Sequence, residues 1–579
     1  MKIQDKIKFT IGLAIPLFCC SIQAETQLKK PNIVVILADD LGFSDIQSYG
    51  SEINTPNIDS LAKEGLRFSN YHTAASCAPT RAMLLSGVDS HRAGVANIEE
   101  SLTAEQASSP FYRGTLNENV VTVATLLKDQ GYHTYMAGKW HLGYKTSALR
   151  PINRGFEQTI MMPHSGADNW EQRSYLPNYS HVDWFENGEK TTLPEDFYSS
   201  KFIVDKSIEF INQNKNDNKP FFSYVAFQAV HIPVQAPKEF TEKYLDVYDQ
   251  GWTHLRKQRQ VAVKKLGLIP ADAKMMTMAS VEDWENLSDD DKKFHAKSMA
   301  VYAGMVDAMD FHIGRLVQHL KDIGEYDNTI FIFTSDNGAE ASDPVAVTKL
   351  FPLWLKLVGY RTDYENLGEK GSYNYIGPSF ASAAVGPLGH YKFYSGEGGM
   401  RVPMIITGPN VNSALKGKIN DSFIYVKDLA PTIMQLTGTK LPGNHYNGRD
   451  IEPMTGKSLM TIIEGKESTI HNDDESIAYE IGGNAALFKG DYKIMFNRPP
   501  LGDGEWHLYN IVKDPGETLD LSQTHANIFI DLKESYKNYV QENGVLPIPE
   551  DYDQREQVIK NAMHERVVKP ILDFWHDLF

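Results

Sequence analysis

The sequence predicts an α/β protein: a mostly parallel sheet sandwiched by helices, with a smaller C-terminal α+β subdomain. Two observations predict the first part. Short apolar, β-branched runs end abruptly in polar residues, the pattern of strands buried on both faces, and helix-like stretches alternate with them. A third observation, a change beyond residue 441 to shorter strands and then helical stretches, predicts the second part.

Taken in order, the chain opens with Lys2, Lys6 and Lys8, an apolar run from Phe9 to Cys20, and small or polar residues around Ala24. This is the plan of a cleaved secretory signal over residues 1–24, and its apolar run is too short to span a bilayer. The expectation is a periplasmic or secreted protein without stable membrane insertion. The expected strands then follow: "NIVVILADD" ending in Asp39 and Asp40, "HTYMAGKWH" in Lys139 and His141, "PFFSYVAFQAVH" in His231, and "TIFIFTSDN" in Asp336 and Asn337. Helix-like "NIDSLAKEGL", "VVTVATLLKDQGY", "SSKFIVDKSIEFINQ" and "AVYAGMVDAMDFHIGRLVQHLKDIG" lie between them. The strand "VPMIITGP" and the helix-like "VKDLAPTIMQLTG" close a catalytic unit placed at 25–440. Residues 441–579, with "AALFKGDYKIMF" and "WHLYN", form the C-terminal subdomain.

The formal net charge is −17, and removing residues 1–24 takes away three lysines and one aspartate, giving −19. A chain this acidic is not expected to bind nucleic acid non-specifically. An anionic substrate requires a local basic cluster. Cleavage also removes Cys19 and Cys20, which leaves Cys77 alone in a compartment that favours disulfides.

In a parallel sheet, ligands bind at the carboxyl ends of the strands. Asp39, Asp40, Asp336 and Asn337 fall there, three carboxylates and an amide oxygen, a donor set suited to a hard cation such as Ca²⁺ or Mg²⁺ rather than zinc. Either pair alone reads better as a turn or helix cap, and only their shared position at strand ends strengthens the joint case. Lys139 and His141, two apart, face the same side of an extended backbone, where they can hold an anion and move a proton. Arg81, four residues after Cys77, shares its side of any helix that begins there. Taken singly, His231 reads more often as structural than catalytic, and Lys392 as merely exposed.

The combination resembles a known family. Cys77-Ala78-Pro79-Thr80-Arg81 followed by Leu85-Ser86-Gly87 resembles the Cys-x-Pro-x-Arg signature of type I sulfatases, with Ala78 in place of the commoner serine or threonine. "PNIVVILADDLGFSD", "TPNIDSLAKEGLRF", "HTYMAGKWHLG", "SDNGAE" and "GGMRVP" look like the other family blocks in their usual order, and "LYNIVKDPGETLDL" looks like the bacterial arylsulfatase branch. The likeness runs from about Pro31 to beyond Leu521 and leaves the signal, some of the region around residues 160 to 200 and the last few dozen residues unsupported.

The resemblance implies an alkaline-phosphatase-like fold and hydrolysis of sulfate monoesters, aryl sulfates foremost, with sugar sulfates or phosphonate and phosphate esters as alternatives. It implies that Cys77 is oxidised to Cα-formylglycine by a formylglycine-generating or anaerobic sulfatase-maturating enzyme. It implies one Ca²⁺ held by Asp39, Asp40, Asp336, Asn337 and the modified Cys77, with Arg81, Lys139, His141, His231 and Lys392 around the sulfate. Asp336 would help activate the attacking oxygen, His231 with Lys392 would serve the leaving oxygen, and His141 would be the base that frees sulfate. A catalytically silent binder of sulfated glycans is disfavoured, because every implied catalytic residue is present. Aromatics in "GADNWEQRSYLPNYSHVDWF" and "ENLGEKGSYNYIGPSF" either line the leaving-group side or pack the loops.

Overall fold

The computed structural model describes residues 29–344 and 350–568. The expected signal lies outside the described residues. Among those described, no helix is long and apolar enough to cross a membrane.

The first strand, β1 (Asn32–Ala38), is followed by α1 (Pro56–Glu64), β2 (Leu66–Phe68), α2 (Cys77–Ser86) and α3 (Val123–Asp129). Then come β3 (His133–Lys139), β4 (Gln158–Met162), β5 (Trp184–Glu186), β6 (Glu189–Thr191), α4 (Ser199–Asn214) and β7 (Phe221–Ala226). The long α5 (Asp289–Asp322) leads to β8 (Thr329–Ser335), β9 (Met404–Thr407), β10 (Ile419–Asn420) and α6 (Leu429–Leu436). These strands make one ten-stranded sheet in the order β10-β2-β9-β8-β1-β7-β3-β4-β5-β6. The five central strands, β8-β1-β7-β3-β4, are parallel, with Leu37 opposite Ala226 and Ala38 opposite Ser335. Antiparallel pairings flank them on both sides.

β1 shows why the sheet needs helices on both faces. Val34, Ile36 and Ala38 enter one apolar core with α1, α4 and α5, while Ile33, Val35 and Leu37 enter the other with α2, α3 and α6. With every residue of β1 buried, no polar face is left for water.

The C-terminal part forms a four-stranded antiparallel sheet, β11 (Ser476–Ile481), β12 (Asn484–Lys489), β13 (Tyr492–Phe496) and β14 (Trp506–Asn510), then α7 (Ala526–Asn543) and α8 (Gln554–Met563). One face of this sheet supplies Leu487, Ile494 and Leu508 to a small core with Leu532 of α7. The other supplies Tyr479, Phe488 and Met495 to the second core of the large sheet. The subdomain is therefore fused to the main unit by shared apolar packing.

Candidate active site

Because β1, β3, β7 and β8 run the same way, the residues that follow them collect at one edge of the sheet. β1 delivers Asp39 and Asp40, β3 delivers Lys139, the segment after β7 delivers His231, and β8 delivers Asp336 and Asn337. α2 points its first turn at that edge, so Cys77 is the first helical residue and Arg81 lies one turn along. All of these side chains are buried.

Local backbone makes the convergence possible. Asp40, His141 and Phe393, the last beside Lys392, adopt left-handed φ of 64°, 55° and 72°. Non-glycine residues avoid this region unless their surroundings enforce it, and such residues concentrate at functional sites. Gly138 has φ 113° and sits where a Cβ would meet the Ala226 carbonyl oxygen at 1.8 Å. It lets β3 close on β7 just before Lys139.

The expected alternation of Lys139 and His141 is corrected here. β3 ends at Lys139, the Trp140 N–H donates to the Met162 carbonyl, and the left-handed turn at His141 orients its ring instead of the pleat. His141 nevertheless lies within the electrostatic reach of Lys139 and Arg81.

Asp39 accepts hydrogen bonds from Lys139 Nζ at 2.6 and 2.8 Å. Asp336 accepts from Arg81 Nε at 2.9 Å and Nη2 at 2.6 Å, and from the Asp40 backbone N–H at 3.2 Å. Asp40 accepts from Lys392 Nζ at 2.9 Å and from the Asn337 amide nitrogen at 2.7 Å, with Cys77 Sγ 3.9 Å and His231 Nε2 3.5 Å away. Arg81, Lys139 and Lys392 thus form a buried basic cluster interleaved with these carboxylates.

Burial, only partly offset by Lys139, pushes the Asp39 carboxyl well above the usual carboxylate range. Burial opposes ionisation of Asp336 too, but Arg81 and Lys139 outweigh it and hold that carboxyl at about 2. Burial, with Lys392 and Lys139 nearby, drives His231 well below the usual imidazole range and keeps it neutral. Its Nδ1 lies 2.6 Å from the Ile232 carbonyl, which places the proton there and leaves Nε2 as the acceptor facing the site.

Candidate ligand atoms of Asp39, Asp40, Cys77 and His231 all lie within 4.8 Å of one another. Asn337 Oδ1 beside them is buried and accepts no hydrogen bond. A buried acceptor without a donor calls for a partner, and an acid-rich set with a free amide oxygen fits a hard divalent cation.

Two residues outside the sequence expectations join the site. Glu100 Oε2 lies 3.5 Å from His141 Nε2, and these two atoms and His141 Nδ1 are buried without hydrogen bonds. Glu340 lies 3.0 Å from Lys392 Nζ. Glu100 stands in "NIEESLTAEQ", which carries no local signal, whereas Glu340 ends "SDNGAE" and adjacency to that block was the available clue. Of the aromatics left open, Tyr175 lines the cavity beside His231, Tyr373 packs behind it at 5.8 Å, and Trp170 packs on Tyr198.

The fold and site define a class: an α/β enzyme with an acid-rich, cation-ready centre and three fixed positive charges, suited to cleaving an ester of a tetrahedral oxyanion. The sulfatase family model matches residues 31–439, and the chain belongs to that family of sulfuric ester hydrolases. It is 38% identical over 552 residues to an uncharacterized sulfatase of Schizosaccharomyces pombe, covering 92% of this chain and 96% of that one. It is 34% identical to an arylsulfatase of Klebsiella aerogenes, covering 79% and 97%. The crystal structure of Ps i-CgsB, also solved with k-i-k-neocarrahexaose, superposes with a TM-score of 0.63 at 25% identity, covering 92% and 98%.

Proposed function

We propose that this sulfatase hydrolyses sulfate monoesters, aryl sulfates foremost, at a centre built on Cys77, and that it is exported by cleavage of residues 1–24. The observation that carries the reading is the meeting of buried Cys77 with Asp39, Asp40 and His231 inside a ring of three buried cations. The catalytic unit is taken as 25–440 and the C-terminal subdomain as 441–579.

Asp39, Asp40, Asp336, Asn337 and residue 77 would hold one Ca²⁺, which when bound supplies positive charge against the sulfate oxygens. Cys77, oxidised to formylglycine by a maturation enzyme, would supply a hydrated aldehyde as the nucleophile. The chain's own residues do the rest. Arg81, Lys139 and Lys392 bind the sulfate oxygens and stabilise the charge that develops as the S–O bond to the alcohol breaks. Burial opposes the charge on Lys392, but Asp40 and other acids outweigh it and keep the ammonium well protonated. With His231 neutral, Lys392 meets the negative charge on the leaving oxygen, and His231 Nε2, free to accept, takes up the proton lost by the attacking hydroxyl and passes it to the leaving oxygen to complete the alcohol. Burial lowers the His141 pKa despite Glu100, so a neutral imidazole stands ready as the base for sulfate release.

The test is sulfate release after co-expression with a maturation enzyme, from aryl sulfates, sugar sulfates and the matching phosphate and phosphonate esters. Aryl sulfates are expected to give the highest kcat/KM. Faster turnover of sugar sulfates would move the assignment to a glycan sulfatase, and dominant phosphonate turnover would sink it.

A further inference from the structure

We propose that α8, near the C-terminus and beyond the family-wide match, is a wall of the leaving-group pocket and selects compact apolar alcohols or phenols. This rests on the sulfatase reading above and adds its specificity element. A cavity of about 110 Å³ opens onto His231, Glu100 and Lys392. Its walls are mainly apolar, with Ile98, Leu176, Ile232 and Phe351 from the main unit facing Val558 and Ile559 of α8. Arg555, Val558 and Ile559 stand at i, i+3 and i+4, so one stripe of the helix faces the cavity.

The helix is fixed to two other walls of the same cavity. Asn561 donates to the carbonyls of Glu100 and Leu102, both at 2.9 Å, and Asn178 donates to the Val558 carbonyl at 3.3 Å. Tyr552 and Gln554, at its start, bond to Ser101 and Asn97 at 3.0 and 3.1 Å. The Asp553 side chain caps its first turn, accepting from the Arg555 and Glu556 N–H groups at 2.9 and 3.0 Å. Val558 and Ile559 are half-buried, which leaves apolar surface for a ligand to cover.

The cavity has the scale of one ring, since an engineered apolar cavity of about 150 Å³ holds a benzene. A second, more open cleft of about 410 Å³ adjoins it, sharing Glu340, Ser342, Lys392, Phe393 and Arg555. Five carboxylates and three cations line that cleft, and Lys392 is already paired with Asp40 and Glu340. An extended polyanionic chain would be repelled there, whereas a monosulfate of a small apolar alcohol meets no such barrier.

Cyclohexylmethyl sulfate and glucose 6-sulfate test this, because both are primary sulfates on six-membered rings that differ in polarity. The matured wild type is expected to favour the cyclohexylmethyl ester in kcat/KM. The double variant Val558→Ala/Ile559→Ala is expected to lower that ratio about tenfold or more, each methylene-sized contact counting about fourfold. If the double variant does not fold by circular dichroism, near-isosteric Val558→Thr is expected to lower the ratio about threefold. An unchanged ratio in a folded variant, or a wild-type preference for glucose 6-sulfate, overturns the role of α8. Sulfate release from neither these esters nor any aryl sulfate would instead overturn the sulfatase reading, and this inference with it.

Discussion

Two buried charge clusters sit five residues apart in the chain, at Lys392 and at Glu397, and they are put together differently. Around Glu397, Lys493 donates to Glu397 at 2.9 Å and to Glu517 at 2.8 Å, His72 lies 3.0 Å from Glu397, and the Glu397 N–H donates to Glu517 at 2.9 Å. None of the side-chain nitrogen or oxygen atoms of these residues is buried without a partner. Around Lys392, carboxylates converge on Cys77, while Asn337 Oδ1 and His141 Nδ1 make no hydrogen bond and Glu100 Oε2 meets His141 Nε2 only across 3.5 Å. The first cluster is a strut joining the C-terminal sheet to the main unit; the second keeps bonding capacity for a ligand. Buried charge alone does not mark a site. Unpartnered polar atoms gathered around one set of carboxylates are the better sign, because each buried donor or acceptor left open calls for a partner.

The comparison can be broken most sharply at residue 77. Cys77→Ala is expected to cut sulfate release by about 10³-fold or more, with a melting temperature close to wild type; residual turnover near wild type would refute the role of Cys77. Lys493→Met should do the reverse. It leaves Glu517 buried without its cation and Glu397 with Arg401 at 3.5 Å alone as a fixed positive charge, at a cost of about 3–5 kcal/mol in denaturant unfolding, while kcat per folded molecule stays within about twofold. Lys139→Ala should lower kcat/KM by about 10²–10³, the effect of removing one preorganised charge contact. Calcium chelation should remove activity and added Ca²⁺ restore it, while the stability difference between Lys493→Met and wild type stays the same with and without Ca²⁺.

The smallest effect concerns pH at another junction between the two parts. His91 Nε2 lies 3.0 Å from Glu480 of β11, and its Nδ1 lies 3.6 Å from Asp89. Burial opposes the imidazolium, but hydrogen bonds to Asp89 and Glu480 outweigh it and raise the pKa from 6.5 to about 9. The folded pKa lies above the unfolded one, so this stabilisation is complete below pH 6.5 and is lost as pH rises through about 9. The loss is on the order of 3 kcal/mol. His91→Gln should flatten the fall in stability over that window, and an equally steep fall in the variant would show that another group carries it.

Much of this protein was legible locally. Runs such as "NIVVILADD" encode a strand buried on both faces and a polar end, and the spacing of Cys77 and Arg81 encodes one helical turn, because both follow from backbone geometry over a few residues. Asp39, Asp40, Asp336 and Asn337 could be gathered for the same reason, since parallel strands deliver their ends to one side, whereas Cys77, Arg81, His231 and Lys392 were singled out by the family resemblance. The turn at His141 was misread as pleat, since nothing in "GKWHLG" announces where β3 stops. Only the tertiary structure placed Asp40 on Lys392, 352 positions away, set Glu100 beside His141, and brought α8 to the cavity. Such pairings leave no periodic trace in the chain. They depend on how two cores pack across one sheet, and packing is a property of the whole fold.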